Sequence, residues 1–112
     1  MITYTSEELI NRAAGDLGKW VPGEALGAVE HDVISSSYKN VLDEISKILV
    51  INDPDQIPAF AFECITTLTA IFAGSAFSNI PYNPDAVEMV ERRLRYLVAQ
   101  TPTYEPLAIY YF

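Results

Sequence analysis

The sequence predicts an all-α fold: a small antiparallel bundle of about four helices over residues 1–100, followed by an extended apolar C-terminal arm, residues 101–112. Three observations carry this. Apolar residues recur with a period near 3.6 in successive stretches. Capping residues, glycines and prolines punctuate those stretches where helices start and stop. Beyond the last of them, Pro102 and Pro106 forbid further helix. With 112 residues, half of them apolar, the chain reads as one domain able to bury a core without staples.

The first helix is predicted over 6–17. Thr5 and Glu8 form a capping box, Leu9, Ile10, Ala13, Ala14 and Leu17 share a face, and Gly18 suits the position just past the end. Pro22 and Gly23 punctuate a loop. The second helix is predicted over 28–49, with Val29, Val33, Tyr38, Val41, Leu42 and Ile45 facing inward and Lys39, Asp43, Glu44 and Lys47 outward. Pro54 and Pro58 end it. The third is predicted over 56–77, with Asp55 as N-cap and Pro58 in its first turn. It is apolar nearly all round, so it should be the central element, and Glu63 should be a buried carboxylate seeking an arginine of the "ERRLR" run or a tyrosine hydroxyl. Its length would allow a membrane span. Glu63 inside it, the threonines that follow and the lack of flanking Lys or Arg argue against one. The fourth helix starts at Asn83-Pro84-Asp85 and turns Val87, Val90, Leu94, Leu97 and Val98 inward. Glu88–Arg92 and Glu91–Arg95 are spaced as ion pairs, which leaves Arg93 the freest cation.

Composition narrows the function. Fifteen acidic against seven basic residues give a net charge of −8. That charge repels phosphate and disfavours ordinary nucleic-acid binding, yet suits a wall that DNA slides past. The lone Cys64, in an apolar run, reads as a small buried hydrophobe, in keeping with a reducing compartment. The acidic N-terminus does not read as a signal peptide. His31 stands between Glu30 and Asp32, but successive helical positions diverge, so it reads as a solvated side chain. No phosphate loop, dinucleotide fingerprint or Glu-x-x-His metal pattern occurs. The expectation is a protein that is not an enzyme, with no cofactor and no metal. Trp20 is left open between core edge and interface.

The arm is the segment that points to a partner. In "TPTYEPLAIYYF", Leu107, Ile109 and Tyr111 alternate with Ala108, Tyr110 and Phe112, so both faces of an extended strand are apolar. Folding back on the bundle would cover one face only. Strand addition to another subunit is the economical use of such an edge. The predicted interface residues are Tyr104, Leu107, Ile109, Tyr110, Tyr111 and Phe112, with Arg93 on the bundle.

Leu17-Gly18, Gly23-Glu24 and Lys39-Asn40-Val41-Leu42, followed by the apolar segment of residues 53–74, make the chain similar to the head-to-tail adaptor, or head-completion, proteins of short-tailed phages. The resemblance spans most of the chain. It implies a structural virion protein, assembled in the host cytoplasm, that forms a ring, dodecameric in the virion, beneath the portal at the head–tail junction. The ring would extend the DNA channel without sequence-specific binding and offer a platform for a downstream tail protein. Its partners would be the portal protein, through the C-terminal arm, other copies of itself, and that tail protein, with no membrane involved. A different class of reading is a soluble helical module that binds a cellular protein through its arm.

Overall fold

A computed structural model describes residues 2–20 and 23–100; the arm lies outside the described residues, as do its six predicted interface residues. The elements, in order, are β1 (Thr3–Tyr4), α1 (Ser6–Asp16), α2 (Ala28–Glu44), a 3₁₀ turn (Ile45–Lys47), β2 (Ile57–Pro58), α3 (Ala59–Ser78) and α4 (Pro84–Gln100). The helical bundle is as expected. The two-residue strands are additional: β1 and β2 pair antiparallel, Thr3 opposite Pro58 and Tyr4 opposite Ile57.

Local chemistry explains three of the helix ends. Thr5 accepts from the Glu8 backbone N–H at 3.3 Å while Glu8 accepts from the Thr5 N–H at 3.1 Å, so two otherwise unpaired donors are satisfied reciprocally. At the other end of α1, Gly18 adopts φ +71°. Its N–H bonds the Gly15 carbonyl, and the next N–H, of Lys19, bonds that of Ala14. This is a Schellman ending, which needs a left-handed residue and therefore favours glycine. At the start of α4, the Asn83 side chain accepts from the Asp85 N–H at 2.9 Å.

Two boundaries and one residue's facing differ from expectation. The regular part of α2 stops at Glu44 rather than 49, and the chain tightens into the 3₁₀ turn, where Ser46 donates to the Asp43 carbonyl and Ile48 to that of Ile45. The α2 core face runs through Ile34, Ser37, Tyr38 and Val41, at helical spacing. Val29, expected inside, falls off that stripe and is 70% exposed. Helix α3 begins at Ala59 instead of 56, because Ile57 and Pro58 are drawn into the ladder and the Ala59 N–H bonds the Ile2 carbonyl at 3.1 Å. Asp55 therefore caps no helix of its own. Its carboxylate accepts from both the backbone N–H and the hydroxyl of Ser6 and so lies at the N-terminus of α1, where negative charge is favoured. These two bonds, the hydroxyl's first, hold its pKa below the ordinary carboxylate value.

Helix α3 packs against α1, α2 and α4 and is the central element, as expected. Ala61, Ile65 and Leu68 are fully buried, and truncating Leu68 to Ala would cost about 2–5 kcal/mol. Length and composition alone would let α3 cross a membrane, although here it lies against three helices. Two apolar clusters flank it. The larger gathers Leu9, Tyr38, Val41, Ile65, Leu68 and Leu94. The smaller gathers Ile10, Ala13, Ala14, Ile34 and Ala73, with Leu17 and Trp20 at its margin. The α1–α3 approach is close: a Cβ on Gly74 would stand 3.2 Å from a Leu17 methyl. Trp20 is thus a core-edge residue, its indole N–H donating to the Glu24 carbonyl at 2.7 Å.

Candidate functional site

On α3, Phe60, Glu63, Cys64 and Thr67 recur at three- and four-residue spacing and so form one stripe. On α4, Met89, Val90, Arg93 and Leu97 do the same. The two stripes face each other across a groove of about 480 Å³. Phe60 and Val90 are half-buried against the core, whereas Met89 is 67% exposed. Next to the groove, Tyr96 continues the Met89–Arg93 line along α4 and is itself exposed. The Arg93 guanidinium lies 5.5 Å from the Tyr96 ring centre, a cation–π contact at the groove rim.

The charges around the groove are unequal in their commitments. Glu63 is not buried, as the sequence suggested, but largely exposed. Its carboxylate pairs with Arg12 of α1 at 3.1 Å, not with the "ERRLR" run or a tyrosine. Helix α3 is covered on three sides only, and Glu63 and Thr67 mark its solvated stripe. Arg92 pairs with Glu88 at 3.0 Å, as expected. Glu91 does not turn to Arg95. It points inward and is buried, its nearest cation being Lys47 at 3.8 Å. Among the described residues, Arg93 enters no ion pair.

Cys64 sits in the groove wall. Burial pushes its thiol above the ordinary range, the nearby Arg93 pulls it down, and Glu63 pushes it up again. A thiol so raised is protonated at neutral pH and a poor nucleophile. His31 is half-buried, not freely solvated, and its Nε2 meets Glu7 of α1 at 2.9 Å. Among the described residues, no group of three or more His, Cys, Asp or Glu side chains stands close enough to hold a metal ion. What the groove can do chemically is take an apolar segment that presents one acidic group to Arg93.

Of the predicted interface residues, Arg93 is the one within the described region, and it lies at this groove. Sequence reading missed Phe60, Cys64, Met89 and Val90 as its lining. The signal lay in the Met89–Arg93–Tyr96 spacing, which puts a thioether, a cation and an aromatic ring on one exposed line of α4. Comparison of the chain with protein-family models, with curated proteins and with solved structures finds no match.

Proposed function

We propose that the chain is a structural subunit of a phage head-to-tail junction, a connector that forms a ring beneath the portal, extends the DNA channel and gives the tail its platform. The observation that carries this reading is the α3–α4 face: an apolar groove with an uncommitted cation at its rim and an exposed Met89–Arg93–Tyr96 line beside it. A ring interface is heterologous, so each subunit must offer two different surfaces. This face is one, and the apolar arm is the other. Arginine and tyrosine are among the side chains that contribute most to such contacts, and methionine is enriched in them. The net charge of −8 supports the channel role, because a wall that repels phosphate lets DNA pass without holding it.

Native mass measurement of the full chain, alone and mixed with the portal protein of the same genome, tests the reading. The expected result is a portal complex carrying a ring of copies of this chain. A chain that remains apart from the portal at micromolar concentration contradicts it.

A further inference from the structure

A second cleft, of about 400 Å³, opens between α2, the C-terminal half of α3 and the loop that leads into α4. Its size lies within the range of small-molecule sites, about 300–1,000 Å³. We propose that it binds a small aliphatic diamine, held by Ser37, Asn40 and Glu44 along one wall and by the rings of Phe72 and Tyr82 along the other.

The polar wall belongs to α2. Ser37, Asn40 and Glu44 follow one another at three- and four-residue spacing and so share one helix face. Ser37 is the most informative of them, because it is 5% exposed and still lines the cleft. The hydroxyls of Thr69 and Ser78 donate to the carbonyl four residues back, the usual outlet for such a group in a helix. The Ser37 hydroxyl makes no hydrogen bond among the described residues. A buried polar group without a partner costs free energy, which a ligand in the cleft would recover. Asn40, one turn on, is exposed. Glu44 is half-exposed, and its ion pair with Lys47, at 3.7 Å, is a long surface contact of the kind worth little.

The aromatic wall is built by the end of α3. Asn79 closes the helix in left-handed backbone, at φ 56°. The Ser75 hydroxyl donates to the Ile80 carbonyl at 2.6 Å and so ties down the loop that follows. Tyr82 is thereby laid against Phe72, the ring centres 4.8 Å apart and the planes tilted by 52°. The two rings offer apolar surface to methylene groups and π-faces to a cation.

Charge and length choose the ligand. Among the described residues, the cleft is lined by one carboxylate and by no cation. The chain as a whole carries −8, which repels anions and draws cations. The Ser37 hydroxyl, the Asn40 amide oxygen and the Glu44 carboxylate can all accept from an ammonium group. Ser37 and Glu44 stand seven residues apart, about 10 Å along the helix at about 1.5 Å per residue. One ammonium cannot serve both ends, so a lone lysine side chain from a partner would leave one of them unpaired. Two ammonium groups joined by methylenes serve both, with the methylenes lying on the rings. This cleft shares no lining residue with the α3–α4 groove, and its ligand is independent of the connector reading.

The test is calorimetric titration of the isolated full chain with putrescine at physiological salt. The expected result is saturable binding of one putrescine per chain, weakened several-fold by Glu44→Gln and by Ser37→Ala. Asp43→Asn removes the same charge from the neighbouring position of α2, outside this cleft, and should leave the affinity unchanged. Butylamine, with one ammonium, and butanediol, with none, should both bind several-fold more weakly than putrescine. Far-UV circular dichroism checks that each variant is folded. Absence of saturable binding at millimolar putrescine overturns the proposal. So does butanediol binding as well as putrescine, or a Ser37→Ala variant of unchanged affinity. An Asp43→Asn variant that loses as much as Glu44→Gln also overturns it, since the attraction is then a diffuse one to an acidic surface.

Discussion

Tyr38 shows how a single side chain ties a loop to the bundle. Its ring is buried in the main cluster and its hydroxyl donates to the Pro54 carbonyl at 2.8 Å. Burial, with Asp55 and then Asp53 nearby, pushes the phenol from 10.0 up to about 12. The unfolded chain ionises at the ordinary value and the folded one only at the raised value. The stability contributed by the neutral phenol is therefore complete below pH 10.0 and is lost as the pH rises to about 12. Tyr38→Phe should cost about 1 kcal/mol at neutral pH through the lost hydrogen bond. It should also flatten the fall in stability between those two pH values. Urea midpoints for both proteins, at neutral pH and across that alkaline window, check this. A Phe variant with an undiminished alkaline fall would show that other groups cause it.

Helices were legible where a few neighbouring residues decide the outcome. Thr5 and Glu8, Leu17-Gly18, and Asn83-Pro84-Asp85 each set an end through bonds within five residues. They failed to be legible where a distant partner decides. Asp55 has the chemistry of an N-cap, but its partner is Ser6, 49 residues away. Ile57 and Pro58 leave the third helix because strand Thr3–Tyr4 pairs with them. The candidate site divides the same way. Arg93 could be singled out in sequence, although Arg95 looked paired and is not paired with Glu91. The α3 half of the groove could not be found, since a helix apolar nearly all round gives periodicity no phase. Glu91 is the instructive error at this scale. On α4 it shares the inward face with Val87 and Leu94. Among the described residues, its Oε2 has no hydrogen-bond partner, and Lys47, at 3.8 Å, is half-exposed. A buried carboxylate so weakly compensated is worth less than an apolar side chain of similar size. Glu91→Leu should therefore gain about 1 kcal/mol and raise the melting temperature by roughly 4–8 °C, as for domains near this size. A lowered melting temperature would show that the pair with Lys47 is net stabilising.

At the scale of the whole molecule, a central apolar helix clad on three sides leaves its fourth side as a groove, and α4 borders that groove with its exposed Met89–Arg93–Tyr96 line. The chain thus presents a partly apolar, exposed face there, and Arg93 is a cation at its rim that enters no ion pair among the described residues. The most direct measurement is the native mass of the portal complex formed by the full-length Arg93→Glu variant, with far-UV circular dichroism confirming an unchanged helical content. The connector reading expects the variant, folded but with the rim charge reversed, to lose most of its copies from the portal complex. A variant that binds the portal with the same number of copies as the parent chain would contradict the claim that this face builds the ring.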